Sequence, residues 1–143
     1  MKMGHFSFPP TQGVLRKLRA DVRAAAAKLG ASPALCERVA LVIDELVNNA
    51  IEHGVRYRCR GLDLAVEIGS AAGRFSVEFL DREMPDTIVK DLSAALSDVR
   101  AGMPSLESER GRGLFLLSVY LDDLRVEVAE GGGMRLHGLL ARN

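Results

Sequence analysis

Glu45-Leu46-Val47-Asn48-Asn49-Ala50-Ile51-Glu52-His53-Gly54 sets a carboxylate and a carboxamide four residues apart, near the end of a strongly periodic segment. In a helix, residues at i and i+4 lie on one face, one turn apart. A Glu and an Asn stacked in this way suit work on a metal-bound nucleotide. The carboxylate can take a proton from an attacking hydroxyl, and the amide oxygen is a hard ligand for Mg²⁺. A capping or buried hydrogen-bond network accounts for the pair equally well.

The segment around this stretch reads as one helix from Ser32-Pro33 to about His53. Ser stands at the N-cap, Pro at the first helical position and Gly54 just past the end. At ~100° per residue, Leu35, Val39, Val42, Ile43, Leu46, Val47 and Ala50 fill one arc. Glu37, Asp44, Asn48 and Glu52 lie opposite. Glu45 and Asn49 fall on the border, where a half-buried polar site can form. His53 faces the buried arc and reads as a satisfied core or C-terminal histidine.

Upstream, His5 to Phe8 is a candidate strand closed by Pro9-Pro10, and a first helix is expected from about Thr11 to Leu29. Downstream, Leu62, Leu64, Val66 and Ile68 alternate with polar or small residues, as do Phe75, Val77 and Phe79. Gly69 to Gly73 supplies the turn between them. Late in the chain, Leu124 to Val128 and Met134 to Leu140 alternate around Gly131-Gly132-Gly133. One polar face per strand argues for a largely antiparallel sheet covered by helices on one side. Between the two hairpins, Asp81 to Arg110 holds a weak helix around Ile88 to Val99, and such a long, weakly patterned segment reads as a lid. Gly111-Arg112-Gly113 then opens a third helix, Leu114 to Leu121.

Composition bounds the function classes. The 143 residues, 48% hydrophobic and 27% charged, favour a single globular domain over 1–143. Basic and acidic residues number 19 each, so no global basic field supports nucleic-acid binding. Arg56, Arg58 and Arg60 alternate after the helix and read as a solvated face. The cysteines, Cys36 and Cys59, form no ligand motif and are expected as free thiols. Neither a signal peptide nor a membrane-length apolar run is seen, so a cytoplasmic protein is expected.

Two further features carry chemistry. Asp81 closes a strand, and an acid there can accept a hydrogen bond from an exocyclic amine such as that of adenine, although turn or cap roles are more frequent. Gly111-x-Gly113 lets backbone N–H groups approach a phosphate at a helix N-terminus, a signal that is weak alone.

Taken in order, the Glu-x-x-x-Asn helix, the strand ending in Asp, the lid, the Gly-x-Gly and the final hairpin resemble a known family. The chain looks like the anti-sigma-factor serine/threonine kinases of the RsbW and SpoIIAB type, within the histidine-kinase-like ATPase superfamily. The likeness runs from Phe8 to Leu140, and its most specific parts are Glu45–Gly54 and Gly111-Arg112-Gly113-Leu114. It implies an α+β fold, the two-layer Bergerat sandwich, with a mostly antiparallel mixed sheet covered on one face and an ATP lid over about 82–110. By position, Glu45 resembles the general base, Asn49 the Mg²⁺ ligand and Asp81 the adenine-reading acid. Gly111, Arg112, Gly113 and Leu114 resemble the lid hinge that meets the phosphates. The implied cofactors are ATP and Mg²⁺. The implied partners are an anti-anti-sigma (STAS) protein, phosphorylated on Ser or Thr, and a sequestered sigma factor. A homodimer is implied by the resemblance only.

One departure is visible. The family has Asp-x-Gly where this chain has Asp81-Arg82-Glu83. If that backbone takes positive φ, a side chain there costs about 1–2 kcal/mol, and Glu83 is expected to bring negative charge and bulk toward the nucleotide pocket. Two alternatives to the kinase therefore stand beside it: a non-catalytic partner-switching module, and an ATP-binding accessory domain of unrelated signalling.

Overall fold

The computed structural model describes residues 2–100 and 116–141. The element order is β1 (Lys2–Phe8), a 3-10 turn (Gln12–Val14), α1 (Leu15–Lys28), α2 (Pro33–Gly54), β2 (Leu64–Ala71), β3 (Arg74–Asp81), α3 (Asp86–Arg100), β4 (Leu121–Val128) and β5 (Met134–Leu140). Residues 116–120 are helical and lead directly into β4.

Local chemistry sets the helix boundaries. The chain leaves α1 through two terminal hydrogen bonds, from the Gly30 N–H to the Ala27 carbonyl (3.0 Å) and from the Ala31 N–H to the Ala26 carbonyl (3.0 Å). This is the paired pattern that satisfies the last free carbonyls of a helix. At the start of α2 the Ser32 hydroxyl accepts from the Leu35 N–H at 3.2 Å, with Pro33 at the first helical position.

The five strands form one sheet in the order β1-β2-β3-β5-β4. Every pairing among the described residues is antiparallel, in line with the mostly antiparallel sheet expected. β2 and β3 are joined by a two-residue turn, Ala72-Gly73, both at positive φ (52° and 75°). That geometry matches the right-handed twist of the flanking strands. The turn is thus shorter than the Gly69–Gly73 expected: Gly69 lies inside β2, opposite Met3 and Ser76.

The helices cover one face of the sheet. The core joins Val22 of α1, Val39, Ile43 and Val47 of α2, and the inward row Val66, Ile68, Val77 and Phe79 of the sheet, all at 0–1% exposure. Of the segment 82–110 expected as a lid, residues 82–100 are described. From Asp86 they form α3, which seats Val89, Leu92 and Leu96 in the same core. Residues 101–110 lie outside the described residues.

β1 begins earlier than expected, at Lys2, and α1 and β2 begin later, at Leu15 and Leu64; the largest departure is at β4. Leu121, read as the end of a third helix, begins β4. The register shifts between Asp122 and Arg125, and Asp123 sits at φ 50°. Such an irregularity breaks the period-two pattern. Leu121 and Leu124 are consequently both buried although three residues apart, and the expected alternation holds only from Leu124 to Glu127, with Val128 exposed.

Candidate functional site

β3 alternates so that Phe75, Val77, Phe79 and Asp81 share its buried face. The alternation that builds the core therefore also aims the carboxylate of Asp81 inward, at 0% exposure. A buried charge must be paired and hydrogen-bonded to be tolerated. The partners come from the segment just after α2.

Arg58 Nη1 donates to Asp81 Oδ1 at 3.0 Å and Arg58 Nη2 donates to Asp81 Oδ2 at 2.8 Å, a two-armed grip. The Tyr57 hydroxyl donates to Oδ2 at 2.7 Å, and the Glu83 N–H donates to Oδ1 at 3.2 Å. The guanidinium carbon of Arg58 also sits 5.1 Å from the centroid of the Tyr57 ring, within cation–π range. The Arg58 side chain is only 11% exposed. Burial favours loss of its proton, but the hydrogen bond and charge of Asp81, with smaller contributions from Tyr57 and Glu83, leave it held more firmly than usual as a cation. Its Nε is buried without a hydrogen-bond partner among the described residues.

Glu83 belongs to the same cluster. Its Oε1 accepts from the N–H groups of Cys59 (3.1 Å) and Arg60 (2.6 Å). Its Oε2 accepts from the Leu62 N–H (3.1 Å) and from Arg58 Nη1 (3.4 Å). The Glu83 side chain is 2% exposed. Burial raises its pKa, yet the three backbone N–H groups and the Arg58 charge outweigh burial and hold it below the usual carboxylate value. The expectation for Glu83 is corrected on both counts. Glu83 is not among the non-glycine residues at positive φ, and its carboxylate turns to the 59–62 backbone, not toward a nucleotide pocket.

The segment 57–62 and the start of the loop after β3 are thus tied together by two carboxylates and one guanidinium. Glycines frame the cluster on two sides. A Cβ on Gly54 would lie 2.7 Å from Arg58 Nε, and a Cβ on Gly133 would lie 2.6 Å from the Asp81 carbonyl oxygen. The end of α2 and the β4–β5 turn therefore both need glycine to approach the cluster this closely.

Beside the cluster is an apolar cavity of about 60 Å³, walled by Asn49, His53, Tyr57, Phe79 and Met84 among others. Tyr57 lines it; Asp81 does not. Its volume is far below the roughly 300–1,000 Å³ of pockets that enclose small-molecule ligands. His53 Nε2 is buried there without a hydrogen-bond partner among the described residues, where a satisfied histidine was expected.

Glu45 and Asn49 stand on α2 as expected, both half-buried on its border. Asn49 reaches the cavity wall, whereas Glu45 is not among the residues lining it. Among the described residues no hydrogen bond engages either side chain. Asn48, next to them, accepts from Gln12 at 3.4 Å. An unengaged amide oxygen at the cavity suits a Mg²⁺ that draws its other ligands from phosphates and water; no group of three or more His, Cys, Asp or Glu able to hold a metal is found among the described residues. Gly111, Arg112, Gly113 and Leu114 lie outside the described residues. Both cysteines are free thiols, Cys36 buried and Cys59 exposed.

The sequence pattern of the histidine kinase-like ATPase domain matches residues 8–137. This chain belongs to that family. Solved structures with the same domain fold include the SiaB–SiaC complex from Pseudomonas aeruginosa, at TM-score 0.74 and 15% identity, over 96% of this chain and 88% of that one. Another is the RsbU and RsbW domains of Rv1364c from Mycobacterium tuberculosis, at TM-score 0.66 and 19% identity. The match spans 98% of this chain and 32% of that longer protein. Comparison with curated proteins finds no match. Within this histidine kinase-like ATPase domain, the Arg58 cluster went unread in the sequence: alternating arginines look like a solvated face. The available signal was the inward register of Asp81, which demands a buried cation. No helix among the described residues is long and apolar enough to cross a membrane.

Proposed function

We propose that this histidine kinase-like ATPase domain is a regulator of the anti-sigma, partner-switching type. Its reaction is transfer of the γ-phosphate of ATP to a Ser or Thr hydroxyl of an anti-anti-sigma (STAS) protein, and the protein it sequesters is a sigma factor. The observation that carries the reading is the Glu45–Asn49 pair: one turn apart, half-buried, unengaged among the described residues, with Asn49 at the cavity. Glu45 would accept the proton of the attacking hydroxyl. The Asn49 amide oxygen would hold Mg²⁺, whose part is to neutralise phosphate charge. Most of the rate in such a transfer comes from positioning, which a rigid helix supplies. Residues 111–114 are assigned to the phosphates by resemblance, and a single cytoplasmic domain that forms a homodimer belongs to the same proposal.

The test is transfer of labelled phosphate from Mg-ATP to a STAS partner co-purified from the native host. Glu45→Ala should reduce transfer roughly 10²–10⁴-fold while nucleotide binding persists. Undiminished transfer in that variant removes Glu45 from the role of base. One observation favours a second reading, a regulator that acts by protein binding alone: Asp81 is already saturated by Arg58, Tyr57 and the Glu83 N–H. Absence of any thermal shift with millimolar Mg-ATP would select that reading.

A further inference from the structure

An acid that reads adenine does so because the amine on that edge of the base is a donor. Guanine carries a carbonyl oxygen at the same position. A free carboxylate accepts from the first and repels the second, so it discriminates strongly. A site built around such a bond rejects the analogue lacking it by roughly 10⁴–10⁵-fold, because buried polar groups are then left unpaired.

Asp81 is not a free carboxylate. An ionised carboxylate offers about four acceptor positions, two on each oxygen. Here Oδ1 takes Arg58 Nη1 and the Glu83 N–H, and Oδ2 takes Arg58 Nη2 and the Tyr57 hydroxyl. No acceptor position is left for a base. Asp81 is fully buried and absent from the wall of the adjoining cavity, where Tyr57 stands instead. Arg58 is fixed in turn: Nη2 also donates to the Ala50 carbonyl at 3.1 Å, its guanidinium packs on Gly54, and Glu83 supplies a second carboxylate. At the phosphate end the reverse holds, since Glu45 and Asn49 are unengaged among the described residues.

We propose that Arg58 determines base selectivity at this pocket and abolishes it: by occupying Asp81 it takes the place of the base's amine. This rests on the reading that the pocket takes a magnesium nucleotide. The nucleotide is then gripped through its phosphates and metal, and ATP and GTP are equivalent ligands. Tyr57 and Glu83 act through Arg58 and Asp81 as positioning residues.

The test is titration calorimetry of Mg-ATP and Mg-GTP against the full chain and its variants. In the wild type the two dissociation constants should agree within about threefold, as expected when no base contact is made. The double variant Arg58→Ser, Glu83→Gly removes the internal cation together with one of the two carboxylates it pairs, and leaves Asp81 free. Freed, Asp81 should favour ATP over GTP by about tenfold or more. Glu83→Gly alone keeps Arg58 on Asp81 and should stay unselective. Circular dichroism checks that each variant folds. If the double variant does not fold, Arg58→Lys replaces it, because an ammonium cannot engage both carboxylate oxygens as the guanidinium fork does; it should shift the ratio toward ATP. A wild type that already prefers ATP tenfold overturns the role of Arg58 and leaves the kinase reading standing. So does a folded variant, selected in this order, whose ratio does not move. Failure of wild type and variants to bind either nucleotide overturns the kinase reading and this inference with it.

Discussion

Among the described residues, two pairs of carboxylates are held in opposite ways. Asp81 and Glu83 are buried at the end of β3, and each oxygen has two donors within hydrogen-bond reach. Glu67 and Glu78 face each other across β2 and β3 on the side of the sheet away from the core. His5 stands 3.4 Å from Glu67, His137 stands 3.3 Å from Glu78, and Arg135 hydrogen-bonds to Glu78. The register places His5, Glu67, Glu78, His137 and Arg125 in one row across all five strands. Water reaches that row, so loose partners suffice. Below the sheet water does not reach Asp81, and every lone pair is met by a protein donor. Burial turns a counter-charge from a convenience into a requirement.

The largest expected effect follows directly. Arg58→Met leaves two buried carboxylates with no cation and should destabilise the fold by about 3–5 kcal/mol, measured by urea denaturation. A loss below about 1 kcal/mol would place the cluster in the class of surface pairs and erase the contrast. Next comes pH. Because the Glu83 carboxyl is held below its ordinary value of 4.5, its contribution to stability is present above that value and lost as pH falls through the lowered one. The wild type should therefore lose melting temperature more steeply below about pH 4.5 than Glu83→Gln does. Parallel melting curves would show that the amides of Cys59, Arg60 and Leu62 do not hold Glu83 as a charge. The smallest effect belongs to the open face. Glu67→Gln removes one of two like charges standing opposite and should change stability by no more than about 1 kcal/mol, in the stabilising direction. A clear destabilisation would mean that the row across the sheet is a cooperative network.

Sequence patterns made the helix-covered sheet legible because periodicity is written by the core. The arc of Val39, Ile43 and Val47 fixed α2, and the alternation from Met134 to Leu140 fixed β5 to the residue. The same alternation carries from Phe79 to Asp81 and puts the acid on the inner face. What periodicity does not encode is which loop residue answers a buried charge. Arg56, Arg58 and Arg60 are indistinguishable in pattern, yet Arg56 and Arg60 are exposed and Arg58 is nearly enclosed. The role of Glu83 was hidden for a related reason: its partners are backbone N–H groups, which no side-chain pattern announces. The start of β4 was hidden by its bulge, which spaces two inward leucines as a helix would.

The Ala50 carbonyl gives the arginine cluster a reach beyond Asp81. Ala50 follows Asn49 directly, and its oxygen accepts from the same Nη2 that holds the acid. One nitrogen thus ties the last turn of α2 to the end of β3, with Gly54 leaving the room it needs. The backbone next to Asn49 and the carboxylate of Asp81 are bound through a shared atom. Whatever pulls Arg58 away would therefore loosen the end of α2 and the end of β3 at once.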